Sequence, residues 1–245
     1  MDKLVAKNIT VSYEGANIIE DISIELNKGE IVCLLGVSGV GKTTLFNVIS
    51  GLLNPDEGIV ELDGRNITGK AGNVSYMLQK DLLMPYKTII DNVSLPLVIR
   101  GEKKSKARDI TAKYFQEFGL EGTENKYPFQ LSGGMKQRAA LLRTYLFSDQ
   151  VALLDEPFSA LDSITKSVMH EWYLQVMKQI RLSTLLITHD IDEAIILSDR
   201  IYVMAGKPGR IKEEVIIDEP KPRDKDFKVS ESFIKYKRHI LSILM

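Results

Sequence analysis

Only one cysteine, Cys33, stands in the 245 residues, so no intrachain disulfide can form. That absence favours a reducing, cytosolic setting. No charge sign dominates either. The 32 Lys and Arg face 33 Asp and Glu, a formal net charge of −1, whereas a dedicated nucleic-acid binder carries a clear basic excess. Long apolar runs are missing too. The longest stretch free of charged side chains, Thr43 to Pro55, falls short of the about 20 residues that a membrane-spanning helix needs, and no such helix is expected. The opening MDKLVAKNIT lacks the extended apolar core of a secretory signal. There is no internal repeat and no low-complexity tract. What remains, 44% apolar and 27% charged residues, is the composition of a folded globular protein. The length suits one large domain or two small ones.

The first part of the chain reads as strands. Leu4-Val5-Ala6 and Ile9-Thr10-Val11 flank a polar break at Lys7-Asn8, and Ile22, Ile24 and Leu26 alternate with polar residues, the period of a half-buried strand. After the turn signal Asn27-Lys28-Gly29 comes the run Glu30 to Leu35, ended by Gly36. Such a run predicts a strand buried on both faces, as in a parallel sheet. A helix over Lys42 to Ser50 stops at Gly51. Buried runs recur at Val151–Leu154 and Thr184–Ile187, separated by a helix on which Ile164, Val168, Trp172, Val176 and Ile180 are expected to line one apolar face. Strand, helix, strand implies an α/β core with a parallel sheet.

From about Thr88 to Phe147 no strand signal stands out. Ala107, Ile110, Tyr114 and Phe118 predict a helix from Lys103 to Phe118 capped by Gly119, and Met135 to Phe147 predicts a second. This stretch reads as a helical insertion in the core. The tail from Asp218 carries turn signals at Pro220 and Pro222 and then a mixed-charge helix running to Met245.

Gly36-Val37-Ser38-Gly39-Val40-Gly41-Lys42-Thr43 fits G-x-x-x-x-G-K-[ST] between a buried strand and a helix. Glycines let successive N–H groups turn toward phosphate oxygens, and the helix N-terminus adds partial positive charge. Lys42 can reach the β- and γ-phosphates, and the Thr43 hydroxyl can ligate Mg²⁺, which takes few protein ligands. Asp155 and Glu156 end an apolar strand, where open α/β sheets bind ligands. Asp155 is placed for Mg²⁺ and Glu156 for an attacking water, although two acids before Pro157 also make an ordinary turn. Ser132 with Gly133 and Gly134 fits either a helix N-cap or a second anion site. His189 after a strand, Gln79 at a strand end and Tyr13 beside Gly15 are, one by one, as readily structural as functional.

Together and in this order the motifs resemble the ATP-binding-cassette (ABC) ATPases. The family's phosphate loop matches Gly36 to Thr44, its glutamine loop Gln79, its signature Leu131 to Gly134, its acidic strand Val151 to Glu156, the loop after it Ser159 to Asp162, its switch histidine His189 and its adenine-stacking aromatic Tyr13. The likeness covers about residues 3 to 215. It implies a single ABC ATPase domain over residues 1–245. The parts are a P-loop NTPase (RecA-like) core with a parallel sheet, an N-terminal antiparallel β subdomain, a helical subdomain at about 88–147 and a tail with a helix at 218–245. By resemblance, ATP contacts Tyr13, Gly36, Val37, Ser38, Gly39, Val40, Gly41, Lys42, Thr43, Thr44 and Gln79. Mg²⁺ is held by Thr43, Gln79 and Asp155, and catalysis falls to Glu156, His189 and Lys42. The family works as head-to-tail dimers, here a homodimer, in which Ser132, Gly133, Gly134 and Asp162 of one subunit complete the site of the other. Met135 departs from the usual Gln of the signature, whose phosphate contacts come mainly from Ser132 and the glycine backbone.

One cassette without a membrane segment or a long heptad insertion implies a stand-alone ATPase at the cytoplasmic face of the membrane. It would meet permease subunits near Gln79–Thr88 and, indirectly, a solute-binding protein, with no nucleic acid involved. The apolar residues Leu82, Leu83 and Met84 equally fit helical core. Met135, Asp155 to Asp162 and Lys207 to Ile211 are similar to the importers of nitrate, sulfonates, taurine and pyrimidine precursors. The alternatives are the ATPase of an exporter or lipid transporter, or a soluble mechanochemical ATPase.

Overall fold

The computed structural model describes residues 2–148, 150–221, 223 and 226–245; Pro222, one of the tail prolines singled out above, lies outside them. Strand β1 (Asp2–Tyr13) pairs with β2 (Ala16–Asn27) as an antiparallel hairpin. The polar break in β1 is a bulge. Asn8 has φ 51° and the register slips between Ala6 and Ile9, which bends the strand without ending it. Next come β3 (Ile31–Gly36) and α1 (Lys42–Ile49), then β4 (Glu57–Leu62) and β5 (Arg65–Asn66), which extend the antiparallel sheet to the order β2-β1-β4-β5.

After β6 (Ser75–Met77) the described chain is helical: α2 (Ile89–Val93), α3 (Leu95–Ile99), α4 (Lys104–Ala112) and α5 (Gly133–Phe147). Alternation then resumes with β7 (Val151–Asp155), α6 (Ser163–Ile180), β8 (Ser183–Thr188), α7 (Ile191–Leu197) and β9 (Arg200–Ala205). Strand β10 (Arg210–Ile216) and α8 (Glu231–Leu244) close the chain. The second sheet has the order β10-β9-β3-β8-β7-β6. From β9 to β6 its neighbours run parallel, and only β10 is antiparallel.

The continuous apolar runs are explained by two cores, one on each face of this sheet. Cys33 and Leu35 of β3, Leu154 of β7 and Leu186 of β8 join the cluster under α5 to α8. Val32, Leu34, Leu153 and Leu185 join the cluster between the sheet, α1 and the antiparallel strands. Alternate side chains point to opposite faces, and here both faces are covered. The three strands β3, β8 and β7 therefore end side by side, and the loops after them meet.

Two helical expectations need correction. On α6, Ile164 and Val168 are 78% and 55% exposed, and the buried face is Met169, His170, Tyr173, Leu174, Val176 and Met177. A helix turns about 100° per residue, so a strict four-residue stripe drifts about 40° per step. By Ile180 it has wound well around the axis. The helix predicted to reach Phe118 ends at Ala112. Beyond it the chain tightens through Tyr114 N–H to Thr111 O (3.1 Å) and Phe115 N–H to Ala112 O (3.2 Å), which brings both Phe115 and Phe118 into the core. Gly119, at φ 62°, closes that turn, with Leu120 N–H donating to Phe115 O (2.7 Å).

Candidate functional site

The loop from Gly36 to Thr44 joins the end of β3 to α1 and packs against its surroundings so closely that glycine is required at two places. A Cβ on Gly36 would stand 2.5 Å from Met204 O, and one on Gly41, which has φ 107°, 2.3 Å from Ile19 Cγ2. Gly39 (φ 79°) meets nothing, so it is chosen for its backbone conformation alone. Val40 buries its side chain in the core, leaving its backbone to face the loop. Lys42 is only 6% exposed, and its Nζ donates to Gly36 O (2.7 Å) and Val37 O (3.0 Å). Burial lowers its pKa, against the opposing pull of Glu156 and Asp155.

Those two carboxylates stand at the end of β7 in different settings. Asp155 is buried and accepts from Thr43 Oγ1 (3.3 Å) and Tyr76 OH (3.4 Å). Burial raises its pKa more than these bonds lower it. Glu156 sits at φ 45°, a conformation that few non-glycine residues adopt, with its N–H fixed to Ile187 O at 3.0 Å. Its Oε1 lies 2.9 Å from His189 Nδ1 and its Oε2 accepts from Gln79 Nε2 at 3.1 Å. Gln79, Glu156 and His189, which follow three different strands, thus form one hydrogen-bonded row. It borders a cleft of about 370 Å³ lined by Ser38, Lys42, Thr43, Thr44, Asp155 and Glu156, among others.

The remaining candidates lie elsewhere. Tyr13 is 53% exposed at the end of β1. Ser132 caps α5, accepting from Met135 N–H (3.3 Å), with Gly133 and Gly134 in the first turn. Asp162 caps α6, accepting from Ile164 N–H (3.1 Å), Thr165 N–H (3.0 Å) and the Thr165 hydroxyl (2.6 Å). The Thr165 hydroxyl, with the backbone amides, holds its carboxyl below the ordinary range. None of these residues lines the cleft around Lys42.

Two residues of the site, Ile18 and Tyr76, were not singled out from sequence. Ile18 lines the cleft from β2, a contact across sheets that leaves no local signal. Tyr76, three residues before Gln79, reaches Asp155, and Ser159 Oγ lies 3.4 Å from Gln79 Nε2. The proximity of Tyr76 to Gln79 was the only hint available for it, while Ser159 opens the loop already matched.

A glycine-rich loop leading from a parallel strand into a helix, with acids ending a strand two places along the sheet, defines a P-loop nucleotide-binding protein. The model of the ABC transporter family matches residues 19–159, and the chain belongs to that family. It is 45% identical to the formylaminopyrimidine import ATP-binding protein ThiZ of Halalkalibacterium halodurans, over 84% of this chain and 80% of that protein. It is 37% identical to the nitrate import ATP-binding protein NrtD of a Synechocystis species, over 92% and 87%. Among solved structures it is similar to the dimeric ATP-binding cassette MJ0796 in a post-hydrolysis state with ADP and Pi. That match has a TM-score of 0.74 at 27% identity, covering 89% of this chain and 100% of that one. Its activity is the hydrolysis of ATP.

Proposed function

We propose that this chain is the ATPase subunit of a solute importer, working as a head-to-tail homodimer beneath separate membrane permeases at the cytoplasmic face of the membrane. The observation that carries the reading is the hydrogen-bonded row Gln79–Glu156–His189, of which Gln79 and Glu156 line the same cleft as Lys42. Within it the loop amides and Lys42 bind the β- and γ-phosphates, with the ammonium offsetting charge in ground and transition states. Glu156 takes the proton of the attacking water, and His189 steadies Glu156 and turns toward the γ-phosphate. Tyr13 stacks on the base. The donor set fits Mg²⁺: a hydroxyl, Thr43, within 3.3 Å of a carboxylate, Asp155, with Gln79 nearby, suits a hard cation that keeps several waters. Bound there, the ion neutralises phosphate charge.

Ser132, Gly133, Gly134 and Asp162 stand outside their own cleft, which fits a role in the partner's site. The permease contact falls on an apolar groove of about 400 Å³ bordered by Leu52, Leu82, Leu95, Ile99 and Phe147. It adjoins the segment Gln79–Thr88, on which Tyr86 is largely exposed. Leu52, Leu82 and Ile99 along it are each more than half exposed, apolar surface of the kind that a partner chain covers. Among described helices none is long and apolar enough to cross a membrane. The import ATPases among the relatives, named for formylaminopyrimidine, nitrate and aliphatic sulfonates, point to small polar solutes delivered by a solute-binding protein.

The test is sedimentation of Glu156→Gln with and without Mg-ATP. The variant keeps the phosphate loop but lacks the base, and it is expected to accumulate as an ATP-dependent dimer. Adding Ser132→Arg, which fills the space offered to the partner's γ-phosphate, is expected to return it to monomer. A dimer indifferent to Ser132→Arg contradicts the shared site.

A further inference from the structure

Behind the Glu156–His189 row lies a polar cluster that the catalytic reading does not use. Glu193 on α7 is almost wholly buried, as are His170 on α6 and Thr188 at the end of β8. His170 Nε2 lies 3.1 Å from Glu193 Oε1. The Thr188 hydroxyl donates to Glu193 Oε2 and accepts from Asp190 N–H at 3.1 Å. Asp190 Oδ1 in turn accepts from Glu193 N–H at 3.2 Å. The ring is closed around His189: the residues on both sides of it are pinned, and Glu193 is the common partner. From the other side, the His170 ring packs edge-to-face on Phe158 with centroids 5.0 Å apart. Phe158 is buried two residues after Glu156, in a turn closed by Ser159 N–H to Glu156 O (3.2 Å).

One side chain, His170, therefore touches the turn that carries Glu156 and the residue that pins the flanks of His189. It projects from α6, the helix that Asp162 caps. A glutamate placed only to cap a helix faces the first-turn amides at the surface. This one faces another helix inside the core, where a carboxylate is stable only if it is fully hydrogen-bonded. Apolar residues of like volume commonly serve stability as well or better in such places, so stability alone does not account for the cluster.

We propose that His170 and Glu193 are positioning residues for ATP hydrolysis, a buried brace that sets the spacing between Glu156 and His189. The inference rests on the roles given above to those two residues. Neither brace residue meets the nucleotide. Their effect falls on turnover and leaves ATP binding alone, because a displacement of about 1 Å in a reacting geometry can lower a rate about 100-fold.

The experiment measures kcat and KM for ATP in the full chain. The triple variant His170→Leu/Glu193→Met/Thr188→Val makes the cluster apolar, which protects folding. It is expected to lose about 10- to 100-fold in kcat, with KM within about twofold. The variant His170→Gln, which keeps a donor toward Glu193, is expected to stay within about threefold of wild type, and His170→Leu to be slow. A wild-type kcat in the triple variant overturns the brace, and so does a loss that appears in KM. Should the triple variant not fold, equal kcat values for His170→Gln and His170→Leu overturn it. Measured alongside, His189→Ala separates the two levels. A wild-type rate there overturns the site reading and the brace with it. A slow His189→Ala beside fast brace variants overturns the brace alone.

Discussion

Every residue of β3, β7 and β8 is buried, whereas the helices that follow β6 combine buried apolar side chains such as Ile89, Val93, Phe115 and Phe118 with polar side chains that tie one segment to the next. Asn92, itself fully buried, bonds Met84 N–H and the carbonyls of Met84, Lys87 and Thr88. Arg143 of α5 reaches the carbonyls of Asp81 and Leu82, and Asp91 ties α2 to Arg108 of α4. The contrast follows from what each region holds. Catalytic groups need fixed positions within fractions of an ångström, and a sheet packed on both faces provides them. In the proposed docking region some apolar side chains, Leu82 and Ile99 among them, stay outside for a partner, and the hydrogen bonds add to the apolar core beneath them.

Substitutions should act very differently in the two regions. The largest loss of stability is expected from the sheet. Leu186→Ala opens a cavity between β8 and the helices and should cost about 2–5 kcal/mol in urea unfolding. A loss below about 1 kcal/mol would mean that the core collapses around the gap.

Asp91→Asn comes next and should cost about 1–2 kcal/mol, below the full value that a carboxyl pKa of about 2 implies, since Arg108 is partly solvated. Here pH sharpens the test. Hydrogen bonds from Arg108, with Lys104 adding to them, hold the Asp91 carboxyl at about 2, against an opposing effect of burial. A carboxylate with a depressed folded pKa adds stability that is complete above the unfolded value of about 3.9 and is lost as pH falls toward the folded value. The gap between wild type and variant should therefore be flat from neutral pH to about 4.5 and narrow between about 4 and 2. A gap unchanged across that window would contradict the assignment.

Smallest is Leu52→Glu in the groove, expected within about 0.5 kcal/mol. Permease association, followed by co-purification of the assembled transporter, should nevertheless fall.

The same division governed what could be read from sequence. The strands of the parallel sheet announce themselves because burial on both faces leaves no alternation, and the phosphate loop because its glycines and Lys42 are adjacent in the chain. Gly119 closes a turn but does not cap the expected helix, which ends at Ala112. The buried face of α6 was misread because Ile164 and Val168 are apolar yet exposed, while His170, polar, is inside. Nothing local marks Glu193 as the partner of His170, 23 residues away, nor Ile18 as a wall of the cleft. Contacts made across layers of the fold carry no period. Gln79 and His189 stand next to Glu156 through strand order alone, and without the surrounding motifs each was as readily structural.

In the proposed mechanism Glu156, held by Gln79 and His189, is the base of an otherwise complete nucleotide site. Phosphate release by Glu156→Gln at saturating Mg-ATP, with ATP binding followed by calorimetry on the same sample, addresses it most directly. Binding at least as tight as wild type is expected, because a negative charge near the γ-phosphate is gone, with turnover lower by about 10²–10⁴-fold. Hydrolysis at the wild-type rate would contradict it.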